Sequence, residues 1–319
     1  MSLRIGIIGA ARVATYAMIA PAQARRDVQL AGVAARDPAR AAAYAQTHGI
    51  ARVFADYQAL VADPGIDAIY VATPPAFHLE HARLAISAGK PVLVEKPFTR
   101  NAAEAAMLLA EAKAAGVPVF EAMHSRHHPC WRLVHELLPR IGAVSHVDAV
   151  FEVAVSRAAD EFLWDSALGG GALMDLGVYP LAWVRLIAGE PEAAVWASQT
   201  RERGADARFA ASLMMPGGIT ARVAADMTAP RQARLTIVGQ AGTLVVTNPM
   251  TVRAGDGVLL ASRAGIEQHD VAGPATFDAQ LGAFVDHLAG RAPWPLAAED
   301  PLRSMQAIDL VRGAATADS

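Results

Sequence analysis

The N-terminal part of the chain alternates short apolar runs with alanine-rich amphipathic stretches. Each apolar run is continuous, which is typical of a parallel strand buried on both faces of a sheet. The stretches between the runs are long enough for helices that cover such a sheet. The predicted strands are Arg4–Ile8, Val28–Ala34, Ala68–Ala72, Pro91–Val94 and Val117–Ala122. The pattern therefore predicts repeated β-α-β units from Arg4 to about Met123.

Two helices in this part have clear boundaries in the sequence. A helix over Pro38–His48 follows Asp37 as N-cap and has proline at its first position. A helix over Asn101–Ala115 is capped by Asn101 and is followed by Gly116.

Beyond Pro139 the pattern changes to consecutive strand-like segments without intervening helices, which predicts an antiparallel sheet. These strands are Ser145–Val155, Ala193–Gln199, Phe209–Met214, Ile219–Met227, Arg234–Val238 and Thr243–Thr247, and the accompanying helices are Gly171–Ala188, Phe277–Ala289 and Pro301–Arg312. The predicted fold class is α/β plus α+β. A parallel-sheet domain spans residues 1–122, and a domain with a large, open, mainly antiparallel sheet spans 123–319.

Composition narrows the class of protein. With 319 residues, 53% hydrophobic and 18% charged, the chain can form two buried cores. A net charge of -3 provides no basic surface for nucleic acid or anionic lipid, and no run of about 18 uncharged apolar residues predicts a membrane span. The lone Cys130 and an N-terminus that enters a strand at once indicate a reducing compartment, so we expect a cytoplasmic protein.

The loop after the first strand has the spacing of a dinucleotide-binding fingerprint. Gly9, Ala11 and Ala14 occupy its three glycine positions, so only the first glycine is present. On the motif alone an ordinary strand-to-helix turn is an equal alternative, but the position at the head of a β-α-β series favours a Rossmann-type cofactor domain. The predicted cofactor loop comprises Gly9, Ala10, Ala11, Arg12 and Val13.

The end of the second strand indicates which nucleotide binds. NAD enzymes usually carry an acidic residue there, whereas this chain has Ala35 and Arg36. A small residue leaves room for a 2′-phosphate, and a guanidinium matches phosphate geometry. NADP is therefore favoured over NAD. The alternative is that Arg36 is a solvated loop residue and Asp37 only an N-cap.

Two further motifs carry a resemblance to a known family. These are Val94-Glu95-Lys96-Pro97 and the segment from Gly169 to Pro180, which reads GGGALMDLGVYP. With Thr73-Pro74, His78, Ala88-Gly89-Lys90 and Arg126-His127-His128-Pro129, the sequence resembles the Gfo/Idh/MocA oxidoreductases over nearly its whole length. The tyrosine in the second motif resembles the branch of dimeric dihydrodiol dehydrogenase, glucose-fructose oxidoreductase and NADP-linked xylose dehydrogenases. That branch prefers NADP.

The chemistry of alcohol oxidation points to three residues. Hydride loss to nicotinamide requires a base for the hydroxyl proton, and Tyr179 can supply it if a cation stabilises the phenolate. Lys96, which follows a parallel strand, can be that cation. Asp175 lies four residues before Tyr179, on the same helix face, and can bind a substrate hydroxyl and orient Lys96. The alternative is a first-turn aspartate and a core tyrosine.

The resemblance implies further contacts around this set. Thr73, Pro74, His78 and Glu95 are predicted cofactor contacts, although His78 more simply orients its loop. His124 and Arg126 are predicted to contact substrate, and His124, His127 and His128 are not expected to bind a metal.

Trp164 either stacks on a substrate ring or packs in the core. Its segment, Glu161–Asp165, lacks the arginine that many relatives have near Leu163, so no particular sugar specificity carries over.

The leading hypothesis is an NADP-dependent dehydrogenase or reductase of a sugar, polyol or cyclic diol. The alternatives are an NADP-sensing regulator without chemistry, NAD-assisted glycoside cleavage and pyrrole-pigment reduction. A homodimer or homotetramer is expected through the free face of the second sheet.

Overall fold

The computed structural model describes residues 2–158, 161–253 and 255–317. The chain forms two compact units, each built on its own sheet. The first unit comprises residues 1–123 and 277–302, and the second comprises 124–276 and 303–319. This division differs from the predicted contiguous halves, 1–122 and 123–319, because a late segment of the chain returns to the first unit.

The first unit contains a five-stranded parallel sheet of order β2-β1-β3-β4-β5. Its strands are β1 (Leu3–Ile8), β2 (Val28–Ala34), β3 (Ala68–Val71), β4 (Val92–Glu95) and β5 (Val119–Ala122). Val53, which lies outside the five strands, forms a single parallel bridge to Val33 of β2. Chain order reverses between β1 and β3, which is where open α/β sheets bind their ligands.

Helices of the first unit agree closely with the sequence pattern. They are Arg12–Ala14, Thr15–Ile19 and Ala20–Gln23 in one continuous segment, then Pro38–His48, Tyr57–Ala62, His78–Ser87 and Ala102–Ala115. The Asp37 carboxylate accepts hydrogen bonds from the Ala39 and Arg40 backbone N–H groups. The Asn101 Oδ1 accepts a hydrogen bond from the Glu104 backbone N–H. Both predicted N-caps are therefore confirmed.

The helix Thr276–Leu288 explains the unexpected unit boundary. Leu281, Phe284 and Val285 are buried in the hydrophobic core of the first unit, and the Phe284 ring meets Phe120 of β5 edge to face. Sequence periodicity predicted this helix but could not tell which core would accept its apolar face.

The second unit is built on a nine-stranded sheet of order β13-β12-β11-β10-β6-β9-β8-β7-β14. Its neighbours are antiparallel except for the pairs β6–β9 and β7–β14. The strands are β6 (Val144–Glu152), β7 (Ala193–Glu202), β8 (Ala205–Met214), β9 (Thr220–Asp226), β10 (Gln232–Gly239), β11 (Gly242–Val246), β12 (Gly257–Ser262), β13 (Gly265–Asp270) and β14 (Ala315–Ala317). The predicted fold class is confirmed, although β12, β13 and β14 were not predicted.

The helices of the second unit include one apolar core segment. Its α-helices are Cys130–Leu137, Val178–Ala188 and most of Asp300–Ala314, and shorter turns include His124–His127 and the π-helical Leu173–Gly177. The stretch Ser166–Ala188 is long and apolar enough to cross a membrane, but 83% of its apolar 18-residue window is buried inside the protein. Such burial is typical of a core helix that packs on a sheet, here on β6 and β9.

Candidate functional site

The first unit places its predicted cofactor residues at one edge of the sheet. Gly9 follows β1, Arg36 follows β2, Thr73 follows β3 and Lys96 follows β4. Because all these strands are parallel, their carboxyl ends lie at the same edge. The predicted cofactor set is thus assembled by the sheet alone.

The loop after β1 fits a dinucleotide phosphate group. Gly9 has a φ of 104°, and a Cβ there would lie 2.9 Å from the Ala72 carbonyl oxygen. The helical segment that follows begins at Arg12, and its N-cap residue, Ala11, has no side-chain acceptor for the first N–H groups. By contrast, the helices at Pro38 and Ala102 are capped by carboxylate and amide groups. An uncapped helix start suits an anionic ligand, whose oxygens can accept those hydrogen bonds.

Two residues that the sequence analysis missed donate hydrogen bonds to the backbone of this loop. Arg40 Nη2 donates to the Ala10 carbonyl oxygen at 3.0 Å, and the Tyr44 hydroxyl donates to the Ala11 carbonyl oxygen at 2.9 Å. Both side chains extend from the helix Pro38–His48. A second arginine one turn after Arg36 was the available signal in the sequence.

The end of β2 supports the predicted preference for NADP. Ala35 is buried against Ala10 and Ala41, and the Asp37 carboxylate is engaged as an N-cap. Arg36 and Arg40 are both exposed. Two guanidinium groups within one helical turn suit a phosphate better than a neutral hydroxyl pair.

His78 links the loops after β3 and β4. Its Nε2 lies 2.7 Å from the Thr73 carbonyl oxygen, and its Nδ1 lies 2.9 Å from the carbonyl oxygen of Pro97, which follows a cis peptide bond. Burial lowers the pKa of His78 to about 4, so the ring is neutral near pH 7. Both nitrogens face backbone carbonyl groups, and the neutral ring can donate to one of them, so His78 orients its loop through a single N–H donor. His81, which was not predicted, contacts the Thr73 hydroxyl through Nδ1 at 2.9 Å.

Glu95 is turned into the core beneath Lys96. Its carboxylate accepts a hydrogen bond of 2.5 Å from the Tyr70 hydroxyl and another from the Lys96 backbone N–H at 3.2 Å. Burial and the nearby Glu95 charge raise the pKa of Tyr70 well above its usual range. Glu95 therefore positions the strand end that carries Lys96, and its predicted contact with the cofactor stays a prediction.

In the second unit, Asp175 and Tyr179 lie on consecutive parts of one helical segment. Asp175 belongs to the π-helical turn Leu173–Gly177 and is partly buried, whereas Tyr179 lies in the first turn of Val178–Ala188 and is 3% exposed. Wider turns of this kind are frequent at functional sites. The predicted helix from about Gly171 to Ala188 is therefore confirmed, with a π-helical turn near its start.

Asp206 of β8 anchors the start of this segment. One of its carboxylate oxygens accepts from the Leu173 backbone N–H at 2.7 Å, and a Cβ at Gly171 would lie 2.0 Å from the other. A Cβ at Gly170 would lie 2.5 Å from the Leu163 carbonyl oxygen. These glycines are thus required by packing within the unit.

The Tyr179 hydroxyl belongs to a buried hydrogen-bonded chain. It lies 3.2 Å from Nε2 of His124, and Nδ1 of the same ring lies 2.8 Å from the Thr276 hydroxyl. His124 is 1% exposed and Thr276 is 2% exposed. Both ring nitrogens of His124 face side chains of the unit, so its predicted contact with substrate stays a prediction. Thr276 carried no signal in the sequence.

The remaining predicted substrate residues differ in their surroundings. Trp164 is 4% exposed, its indole N–H donates to the Ser156 carbonyl oxygen, and the Arg157 guanidinium lies 5.3 Å from its ring centre. This environment favours core packing over stacking on substrate. Arg126 is partly buried. The pKa of the neighbouring His127 is lowered to about 4, chiefly by burial of the His127 ring and also by the Arg126 charge.

His128 is likewise engaged within the chain. Its Nδ1 accepts from the Cys130 backbone N–H at the start of a helix. Among residues 2–158, 161–253 and 255–317, no three His, Cys, Asp or Glu side chains are grouped so that they could hold a metal ion.

A cavity of about 370 Å³ lies elsewhere on the second sheet. None of the predicted site residues contributes to its wall, which is formed by Arg231, Gln232, Ala233, Arg234, Val245, Thr247, Asn248 and Asp256. The structure thus collects Tyr179, Asp175 and His124 in the second unit and the cofactor residues with Lys96 in the first. The predicted pairing of Lys96 with Tyr179 and Asp175 stays a prediction.

Both parts of the chain match models of one protein family. The model described as "Oxidoreductase family, NAD-binding Rossmann fold" matches residues 3–123, and the model of the GFO/IDH/MocA C-terminal domain matches residues 132–245.

Named relatives extend this similarity. D-xylose 1-dehydrogenase (NADP(+)) 2 of Haloferax volcanii is 36% identical over 72% of this chain and 70% of its own length. The dTDP-3,4-didehydro-2,6-dideoxy-alpha-D-glucose 3-reductase of Streptomyces violaceoruber is 32% identical over 98% of this chain and 96% of its own. The crystal structure of KijD10, a 3-ketoreductase from Actinomadura kijaniata in complex with NADP and TDP-benzene, superimposes with a TM-score of 0.92 at 29% identity, covering 99% of each chain.

Proposed function

Because the chain belongs to the GFO/IDH/MocA family of oxidoreductases, we propose that it transfers a hydride between NADP and a secondary alcohol or carbonyl of a sugar, polyol or cyclic diol. The observation that carries this proposal is the buried Tyr179 hydroxyl, held by His124 and preceded by Asp175 on a π-helical turn. A phenol placed in this way is the acid/base group that alcohol oxidation requires.

The bound nicotinamide supplies hydride chemistry, and the chain supplies binding and orientation. Gly9 and the uncapped helix start after it suit the pyrophosphate. Arg36 and Arg40 suit the 2′-phosphate, whose charge a guanidinium fork matches. The KijD10 complex contains NADP, and the similar xylose dehydrogenase is an NADP(+) enzyme. Both relatives support this choice of nucleotide.

Three side chains divide the chemical work in this proposal. Tyr179 takes the hydroxyl proton during oxidation and returns it during reduction. The Lys96 ammonium stabilises the phenolate, because an opposite charge close to a phenol favours its ionised form. Asp175 binds a neighbouring substrate hydroxyl and so fixes the reacting carbon against the nicotinamide.

The decisive test replaces Tyr179 with Phe, which keeps the ring and removes only the hydroxyl. We expect kcat to fall by about 100-fold or more, since general acid/base catalysis contributes roughly that much, while the Kd for NADPH stays within about twofold. The assay panel contains D-xylose, trans-1,2-dihydrobenzene-1,2-diol and a dTDP-linked 3-keto sugar. Full turnover by Tyr179→Phe would contradict the assignment. NADPH binding without turnover on any compound would favour the sensor alternative.

A further inference from the structure

Aromatic rings contact the Tyr179 side chain, and its hydroxyl belongs to the hydrogen-bonded chain through His124. The Phe151 ring meets Tyr179 edge to face with centroids 5.6 Å apart, and the Trp183 ring centroid lies 6.3 Å away. Polar groups buried among such rings are costly unless they are hydrogen-bonded. His124 and Thr276 meet this requirement through the contacts of 3.2 and 2.8 Å.

The turn that carries His124 is itself held rigidly. Ser125 is fully buried and is bound by two indole N–H groups. Trp131 donates to its carbonyl oxygen at 2.6 Å, and Trp183 donates to its hydroxyl at 3.2 Å. Support of this kind fixes the imidazole within the small tolerance that a catalytic arrangement needs.

An imidazole suits a group whose charge changes during the reaction. Its Nε2 can accept from a phenol or, in the other tautomer, donate to a phenolate. The two tautomers need opposite partners at Nδ1, and a threonine hydroxyl can either donate or accept there. Thr276 therefore allows His124 to face either protonation state of Tyr179 with a matching hydrogen bond.

We propose that His124 is a positioning residue for Tyr179 and that the Thr276 hydroxyl holds its ring in either tautomer. His124 holds the phenolic oxygen in place: the tautomer protonated at Nδ1 accepts from the phenol at Nε2, and the tautomer protonated at Nε2 donates to the phenolate. This inference rests on the proposed function, because it assumes that Tyr179 is the acid/base group. It assigns to His124 a role within the catalytic machinery in place of the predicted contact with substrate.

Two substitutions at position 124 form a matched pair. The amide of His124→Gln reaches the Nε2 position and can still meet Tyr179, whereas the shorter amide of His124→Asn overlays Nδ1 and can meet only Thr276. We expect His124→Gln to keep kcat within about threefold and His124→Asn to lose about 10- to 100-fold, the range expected for a hydrogen bond to a charged group. KM and the Kd for NADPH should change by less than about threefold in both.

Thr276 provides a second, independent pair. Thr276→Ser keeps the hydroxyl, whereas Thr276→Val keeps the shape and removes it. We expect kcat to fall about 3- to 30-fold in the valine variant alone, because only that variant loses the hydrogen bond that holds the His124 ring. Thermal unfolding of all four variants reports whether the fold is intact, and the Thr276 pair decides the question if a substitution at His124 unfolds the protein.

The assay uses NADP with the compound of the panel that shows the highest kcat, and Tyr179→Phe is measured beside the other variants. Equal loss of kcat in His124→Gln and His124→Asn, or in Thr276→Ser and Thr276→Val, would overturn the inference, because packing alone would then account for it. Full turnover by Tyr179→Phe would overturn the proposed function as well. An inactive Tyr179→Phe with full turnover in His124→Asn would overturn this inference only.

Discussion

Single residues show how burial controls charge. His78 and His127 are kept neutral, with pKa values of about 4, chiefly because burial disfavours the imidazolium form. The ordinary pKa of a histidine is about 6.5, which also describes the unfolded chain. Between these values the unfolded chain binds more protons than the folded one, so acid favours unfolding across that range.

We predict that the free energy of unfolding falls as pH decreases from about 6.5 to 4. The loss is on the order of 3 kcal/mol for each of the two histidines. Chemical denaturation at a series of pH values measures it. His78→Gln should show a shallower pH dependence in this window, whereas His135→Gln, at an exposed position, should follow the parent. Parallel curves for the parent and His78→Gln would contradict the prediction.

The two arginines near the cofactor loop allow a second prediction. Arg36→Ala should weaken NADPH binding by about 10- to 100-fold and leave NADH unchanged, because it loses only a phosphate contact. Arg40→Ala should weaken both nucleotides, because it also loses the hydrogen bond to the Ala10 carbonyl oxygen. Fluorescence titration measures both, with the exposed Arg132→Ala as control. Equal loss for NADPH and NADH in Arg36→Ala would show that Arg36 does not read the phosphate.

Among the elements, the segment that carries Asp175 and Tyr179 depends most on a close contact. Asp206 accepts a hydrogen bond at the start of this segment, in direct contact with Gly171, whose φ is 121°. Desolvation raises the pKa of Asp206, although the Leu173 N–H opposes this shift. The Asp206 carboxylate accepts from the Leu173 N–H, which lies at the start of the helical segment and would otherwise lack a partner within that segment.

We predict that Gly171→Ala destabilises the protein more than Gly217→Ala does. Both glycines have positive φ, but a Cβ at Gly217 meets nothing within 4 Å, so that variant pays only backbone strain of about 1 kcal/mol. Gly171→Ala adds overlap with Asp206, which is worth about 1–3 kcal/mol more. Urea denaturation measures the free energy of unfolding of both variants. Equal losses in this free energy would show that overlap with Asp206 does not add to the destabilisation.

Across the whole molecule, exposed apolar side chains support the prediction of self-association. Val195 is 63% exposed and Trp196 is 51% exposed, and both lie on β7 of the second sheet. Large apolar residues that adjoin one another on a surface often mark an interface. We therefore retain the proposal of a homodimer or homotetramer formed through this sheet.

Light scattering at micromolar concentration should give about two or four times the chain mass of 33.4 kDa. Trp196→Lys should lower the mass, because it places a charge in the interface, whereas Met107→Lys, at an exposed apolar position of the first unit, should not. A parent mass of one chain would end the proposal of an oligomer.

Elements with a local residue pattern were predicted well, and elements without one were missed. β2 and the helix Pro38–His48 were predicted to the residue, because a buried parallel strand and a capped helix each carry a local pattern. β13 was missed because it is a polar edge strand whose exposed residues have no apolar alternation. The helix that begins at Thr276 was predicted as a helix but placed in the wrong unit.

The sequence by itself determined the fold class, the cofactor loop and the residues proposed for catalysis, because periodicity, caps and short motifs are local properties of a chain. Only the tertiary structure brought Arg40 and Tyr44 beneath the cofactor loop and joined His124 to Thr276, which is 152 residues further along the chain. Such pairs arise when a buried polar group must find a partner. The partner is chosen by proximity in the folded core, which no local pattern of residues encodes.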